Sequence, residues 1–538
     1  MPEGSSVSDY ILFAGGTVVD GTGAKSSPGD VLVSADRIVD IRPHGQISHD
    51  GKRVVAIDGK VIAPGFVDVH SHSDNAPLYA PGDLPKIRQG VTTEIVGNCG
   101  FSLAPSDGPP EVTAFLAQCF PRGGPVFRSF ADYVDAADQG GYLTNLAALV
   151  GEGNLRLLAH GPASGSTSPD GLATMIRHIR EACDAGAFGL STGLAYVPGM
   201  FGTAEQISQL VAAMPAGRVY ATHMRNEGSR ITDGIAEAVR VSRDSGHPVQ
   251  ISHLKIADRS NWGAAGEILA HLDNERRAGT RIGQDAYPYT TSSMMLSSCL
   301  PPWVLDGGVD AMLERLRDRQ TRQRIASEVL DPTSNPHNAG WDSYIATAGY
   351  TGIRVASTAT GRYDHSTITQ LAQRLDLEPF DALARVVVEE GNVANMIASL
   401  IDDRDLEAIL RHDQTMIGTD GAPPGFGKAP HPRVAGTFVK VLGEFVREKR
   451  VLTLEEAVRR MSALPAEFFG LPDRGTIAAG KVADLVVFDP ETVRDNANYD
   501  EPLRPPTGIE FVYVGGRSVI EGPTWTGIRS GSRLEPVR

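Results

Sequence analysis

Four histidines, one aspartate and one cysteine stand where a folded chain could gather them into a metal-dependent catalytic centre. The run Gly65-Phe66-Val67-Asp68-Val69-His70-Ser71-His72 is apolar and ends in His-x-His. Strand geometry has period two, which predicts both imidazoles on one face. His-x-His also occurs on ordinary surfaces, so its weight comes from its company. Val219-Tyr220-Ala221-Thr222-His223 and Val249-Gln250-Ile251-Ser252-His253 are apolar runs that each end in His, thirty residues apart. That interval is one strand–helix repeat, so neighbouring strands would present the two imidazoles at one height, within reach of one metal. Met416-Ile417-Gly418-Thr419-Asp420 ends a further run with a carboxylate that can bond a water and take its proton. Gly421-Ala422-Pro423-Pro424 reads as loop, which disfavours a helix-capping role for Asp420. Cys99 sits in the loop Gly97-Asn98-Cys99-Gly100. A lone cysteine is usually a small buried hydrophobe. Beside glycines and past a strand end it can instead meet a metal as thiolate, and zinc accepts mixed sulfur and nitrogen ligands. Gly189-Leu190-Ser191-Thr192-Gly193 fits the G-x-S-x-G nucleophile elbow. That elbow must open a helix, whereas residues 196–202 read as loop, so a serine hydrolase is the weaker reading.

These side chains need a scaffold. Residues 1–63 read as β: a strand at 10–19, the turn cluster Asp20-Gly21-Thr22-Gly23, then β-branched runs at 31–33, 38–41 and 54–57. Residues 483–488, 511–514 and 517–520 read likewise, with Gly515-Gly516 as a turn. Chain ends often lie close together, so 1–63 and 466–538 are expected to form one small β-sandwich domain. From 64 to 465 the chain alternates. Apolar runs at 65–69, 93–96, 146–150, 188–190, 219–222, 249–252 and 416–419 look like buried parallel strands with helices between several of them. After Thr203, Ile207, Leu210, Val211 and Met214 follow helical spacing, and Thr203 with Gln206 is a capping-box signature. Thr453 with Glu456 repeats it before Leu454, Val458 and Met461. The alternation predicts an α/β fold of the (β/α)8 barrel type. The stretch between Asp285 and Asp420 is too long for one unit. An inserted, lid-like subdomain is expected at about 287–415, with helices at 310–330, 366–375 and 381–390 and a loop at 331–340.

The chain has 538 residues and a net charge of −15. Nucleic-acid binding usually carries a basic footprint, so it is disfavoured. No run of about 18 apolar residues is present, so no membrane span is expected. The N-terminus lacks a basic n-region, and the apolar stretch at 11–14 is short for a secretory h-region. Cys99, Cys119, Cys183 and Cys299 form no CxxC pair and no disulfide scaffold. Reduced thiols and a cytoplasmic location are the expectation, with a small molecule as partner and oligomeric state left open.

Several stretches taken together carry a resemblance. They are PGFVDVHSHSDN at 64–75, QGVTTEIVGNCGFSLAP at 89–105, GAFGLSTGLAYVPG at 186–199, YATHMRNEG at 220–228 and QISHLK at 250–255. In the same order follow DAYPYT at 285–290, LPPW at 300–303, IGTDG at 417–421, HPRVAGTF at 431–438 and GTIAAGKVADLVVFDP at 475–490. The chain resembles the amidohydrolase superfamily and, within it, the D-aminoacylase (N-acyl-D-amino-acid deacylase) family. GNCG and HPR–GTF set that family apart from other amidohydrolases.

The resemblance implies a distorted (β/α)8 barrel with a β-sandwich from both termini. It implies a tight zinc on Cys99, His223 and His253, and a second, weaker metal position at His70 and His72. Asp420 would be the acid/base residue of amide hydrolysis, and Arg433, Tyr287 and Lys255 would grip the substrate carboxylate. Glu152 stands where such relatives often carry His. Residues 186–199 hold no Lys that could be carboxylated to bridge two metals, which favours Cys99 as bridging or primary ligand. The same absence disfavours a cyclic-amide hydrolase of the hydantoinase type. Closer alternatives are a dipeptidase on L-Xaa-D-Xaa and a deacylase for acidic D-amino acids. A scaffold without activity should lack the ligands that this chain retains.

Overall fold

The N-terminal strands β1 (Tyr10–Val18), β2 (Ser27–Ser34) and β3 (Arg37–Pro43) form an antiparallel meander, and β4 (Arg53–Ala56) and β5 (Val61–Pro64) both run parallel to β1. The computed structural model describes residues 10–120, 125–338, 340–422 and 431–537. Residues 1–9, Ala339 of the expected 331–340 loop and the expected loop residues Pro423 and Pro424 lie outside them.

The chain then enters the barrel. Its parallel strands are β6 (Phe66–Asp68), β7 (Val91–Val96), β8 (Asn145–Ala148), β9 (Val150–Gly151), β10 (Gly189–Gly193), β11 (Val219–His223), β12 (Val249–Ile251) and β13 (Ile282–Ala286). Next come β14 (Thr291–Met295), β15 (Ile353–Ser357) and β16 (Asn395–Ser399), and then β17 (Thr415–Ile417) returns to the barrel. Two parallel arcs result, β6-β7-β8 and β9-β10-β11-β12-β13-β17. At one seam Leu149 N donates to Val96 O at 2.9 Å and Phe188 N to Ala148 O at 2.8 Å. At the other, Ser71 bridges Gly421 in parallel register and Asp420 N donates to His70 O at 2.8 Å. With β8 and β9 as one interrupted strand, the arcs close the expected (β/α)8 barrel. Helices cover its outside, so strands such as β7, β10, β11 and β13 are buried along their whole length.

The C-terminal strands are β18 (Leu485–Phe488), β19 (Ile509–Val514), β20 (Arg517–Glu521) and β21 (Thr524–Trp525). β18 pairs antiparallel with β5, joining both chain ends in one nine-stranded sheet. Phe13, Ile62, Val487 and Tyr513 share its core. Among the described residues no helix is long and apolar enough to cross a membrane.

β13 and β17 pair directly, Asp285 opposite Met416, so the chain between them is an excursion from the barrel. It carries a small antiparallel sheet, β14-β16-β15. The sequence did not announce that sheet, because Thr291-Ser292-Ser293-Met294-Met295 has neither alternation nor β-branched bulk. The helix expected at 310–330 is two helices, Gly308–Arg317 and Arg319–Leu330. Asp318 is extended between them and its carboxylate caps the second by accepting from Thr321 N at 2.7 Å. The helices at 366–375 and 381–390 are Ile368–Leu375 and Pro379–Glu389. Both expected capping boxes form only their first half. Thr203 accepts from Gln206 N and Thr453 from Glu456 N. The Gln206 amide turns away to Thr167 O at 2.7 Å, and Glu456 is drawn to Arg459 and Arg460.

Candidate metal centre and active site

The metal-ligand candidates and Asp420 lie at or just beyond the C-terminal ends of barrel strands, the end where barrel active sites are built, while Arg433 opens the helix Arg433–Lys440. His70 and His72 follow β6 rather than belonging to it. Their rings are 5.4 Å apart, set by the bend and the Ser71–Gly421 bridge and not by the expected strand alternation. His223 closes β11, and His253 lies two residues past β12 in a left-handed conformation, φ 38°. Asp420 follows β17, also left-handed at φ 47°.

Cys99 owes its place to the loop after β7. Gly97 and Gly100 adopt φ 78° and Cys99 itself φ 55°. A Cβ on Gly97 would stand 2.1 Å from Leu149 O, so only glycine lets the loop lie against β8 and β9. Ser191, the serine of G-x-S-x-G, clamps this loop. Its Oγ donates to Gly97 O at 2.5 Å and accepts from Gly100 N at 3.0 Å. It sits in the middle of β10, not on a strand-to-helix elbow, so its chemistry is positional. Tyr196 OH donates to Cys99 O at 2.6 Å.

The donors converge. Cys99 Sγ lies 3.2 Å from His70 Nε2 and 3.5 Å from His253 Nε2. Asp420 Oδ1 lies 3.2 Å from His72 Nε2 and 3.5 Å from His70 Nε2. One ligand atom from each of His70, Cys99, His253 and Asp420 falls within 4.8 Å of the others, and all four residues are buried. A second group shares His253 and adds His223 and Glu227, with His223 Nε2 at 3.3 Å from Glu227 Oε2. The structure thus sets Cys99 beside His70 and His253, and the His223 side chain also reaches the Cys99 sulfur. A sulfur, several imidazoles and carboxylates at this spacing suit zinc.

Burial would push the Cys99 thiol up, but His70 and His253 beside it hold it well below its ordinary range, as a thiolate. His70 is raised to about 10: burial opposes its charge, and Cys99, Asp285 and Asp420 outweigh burial. Burial also opposes ionisation of Asp420, yet Arg433, then His253 and His70, hold it well below the usual carboxylate range. Arg433 Nη1 meets Asp420 Oδ2 at 2.7 Å, its Nη2 donates to Ser293 O at 3.2 Å, and its guanidinium lies 4.9 Å above the Tyr287 ring. Tyr287 OH pairs with Ser292 Oγ at 3.0 Å. Lys255 Nζ is engaged by Glu227 Oε1 at 2.7 Å and His253 Nδ1 at 2.8 Å. Arg433, Tyr287 and Lys255 line, with Cys99, His223 and Asp420, one cavity of about 80 Å³.

Several working residues escaped the sequence reading. Glu227 Oε1 is 3.0 Å from His253 Nδ1 and accepts from Lys255 Nζ, so one carboxylate positions both the imidazole and the ammonium. Asp285 Oδ1 faces His70 Nδ1 at 3.2 Å and accepts from His253 N at 2.9 Å. Asp68 accepts from His70 N, Thr419 N and the fully buried Lys86, whose Nζ is 2.6 Å away. His431 accepts from Arg433 N at 3.0 Å and so orients that arginine. Asp68, Glu227, Asp285 and His431 all fall inside the quoted matching stretches, which was the available signal. Lys86 carried none.

A closed barrel with a buried sulfur–imidazole–carboxylate cluster at its strand ends defines a metal-dependent hydrolase. The chain belongs to the amidohydrolase family, whose profile matches residues 53–520. It is 34% identical to a D-aminoacylase of Alcaligenes xylosoxydans xylosoxydans over 97% of both chains. It is also 34% identical to an N-acyl-D-glutamate deacylase of the same organism, over 95% of this chain and 93% of that one. The crystal structure of N-acyl-D-glutamate deacylase from Bordetella bronchiseptica, complexed with zinc and a phosphonate mimic of the tetrahedral intermediate, superposes with a TM-score of 0.81. That chain is 33% identical, and the match covers 98% of this chain and 99% of that one.

Proposed function

We propose that this protein hydrolyses the amide bond of N-acyl-D-amino acids with the help of zinc, releasing a carboxylic acid and a free D-amino acid. The observation that carries this reading is the joint burial of the Cys99 thiolate, the His253 imidazole and the Asp420 carboxylate beside Arg433. The family relationship supports it. Cys99, His223 and His253 are the proposed tight ligands. His70 and His72 make a second, weaker position, and Glu227 orients the imidazoles. When bound, zinc supplies a Lewis acid that polarises a carbonyl and brings the pKa of water toward about 7.

The chain's own residues do the rest. Asp420 Oδ1, on the side away from Arg433, accepts the proton of the attacking water and returns it to the departing nitrogen. Without that return an amide nitrogen leaves poorly. Arg433, stacked on Tyr287, offers a planar fork to the substrate carboxylate, and Lys255 adds positive potential. β10 reads Gly189-Leu190-Ser191-Thr192-Gly193 and has no lysine to bridge two metals, which sets the site apart from cyclic-amide hydrolases.

Residues 1–63 with 466–538 serve as a supporting domain for the barrel at 64–465, with 287–415 as an insertion over its mouth. Four buried free cysteines support a cytoplasmic location. A hydrolysis screen over N-acyl amino acids of both hands, run with a zinc titration, tests the reading. D-substrates should turn over in proportion to zinc. Turnover confined to L-substrates or to ring amides would replace it.

A further inference from the structure

Beside the catalytic cavity lies a larger one that neither the metal ligands nor the carboxylate fork uses. It encloses about 370 Å³, within the range of about 300–1,000 Å³ usual for small-molecule sites. Gln118, Tyr196 and Met295 line both cavities, so the two adjoin. One wall comes from the barrel, through the helix Pro110–Cys119 and Val197. The other comes from the excursion between β13 and β17, through the helix Gly308–Arg317, which packs on that first helix.

Chemistry and placement decide what fits. Phe115, Leu157, Leu305 and Met312 make the interior apolar. The charged groups among the described lining residues are Glu111 and Asp310, both acidic. Arg433 and Lys255 line only the catalytic cavity. At the mouth, Tyr196 bonds Cys99 O, and its ring lies 5.0 Å from that of His223. The wall that the two cavities share therefore stands beside the metal ligands, next to where the scissile carbonyl must sit. From that carbonyl an N-acyl amino acid extends two ways. Its nitrogen side leads to the carboxylate, which Arg433 draws. Its acyl chain leads away, and an acid-rimmed apolar cavity accepts a neutral chain and repels an anion.

We propose that this cavity binds the acyl chain, and that the substrates are N-acyl-D-amino acids with an extended apolar acyl group. The inference rests on the function proposed above. The test is a kcat/KM series on N-acetyl, N-butanoyl and N-octanoyl derivatives of one D-amino acid. The native enzyme should gain about two- to fourfold per added methylene. Ala114→Phe and Val309→Phe fill the cavity from its two walls. Each should lower the octanoyl-to-acetyl ratio about tenfold or more. Octanoate should inhibit the native enzyme competitively, at least about tenfold better than acetate. A flat series with good N-acetyl hydrolysis overturns the inference and leaves the proposed function standing. The inference is equally overturned if folded variants shift amino-acid preference instead of acyl preference, or if octanoate and acetate inhibit alike. Failure to hydrolyse any N-acyl-D-amino acid removes both readings.

Discussion

Asp420 has its two oxygens in different company. Oδ2 is tied to Arg433, and Oδ1 faces His72 and His70 across the metal-ligand cluster. That division keeps the carboxylate ionised and leaves one oxygen to handle a proton. Asp420→Asn keeps the shape and removes the base. It should lower kcat by about 10²- to 10⁴-fold with zinc still bound, and kinetics paired with metal analysis on the same preparation checks it. At this scale the sequence was most readable where a chemical residue type ended an apolar run, as at His223, His253 and Asp420. Asp68, Glu227 and Asp285 carry no such mark. A carboxylate that orients a ligand looks, in sequence, like any carboxylate near a strand end.

Elements hold these side chains through a buried polar layer under the strand ends. Lys86 reaches Asp68 at 2.6 Å, Ser71 at 3.0 Å and Thr419 at 2.7 Å, tying the segment that carries His70 and His72 to the one that carries Asp420. Lys86→Met leaves Asp68 charged and unpaired, which should cost about 3–5 kcal/mol in denaturant unfolding. A loss within experimental error would show that the layer does not pin the strands. Glu152, at the start of the helix Glu152–Ala159 after β9, is a second test. Burial raises its carboxyl from 4.5 to about 7, although Arg156 and Arg225 pull it down. The folded chain therefore keeps a proton, over that range, that the unfolded chain has released. Stability should fall as pH climbs from about 4.5 toward 7, with the full penalty above it. Glu152→Gln removes the titration. Its Tm advantage over the native protein should be larger at pH 8 than at pH 5, and an equal difference at both would contradict the assignment. Elements were legible where period and apolar runs agreed, as in β7, β11 and the helix after Thr203. The sheet β14-β16-β15 was not, because β14 lacks alternation and the sheet is held by pairing between segments distant in sequence.

The whole molecule follows from where the chain crosses itself. β18 pairs with β5, so the N-terminal and C-terminal strands meet in one sheet. β13 pairs with β17, so everything between them is free to build over the catalytic end. Barrel class was readable from the repeat of strand and helix, and the excursion from one overlong interval. Which walls face which cavity depends on side-chain packing across distant segments, which no local pattern encodes. The central claim is that residues distant in sequence hold one zinc at the barrel's rim. Its most direct test is zinc content per chain, by elemental analysis after exhaustive dialysis, for the native protein and Cys99→Ala, with folding checked by circular dichroism. The account predicts one tightly held zinc in the native protein and its loss from the folded variant. Equal zinc in both would make Cys99 a packed thiol and contradict the account.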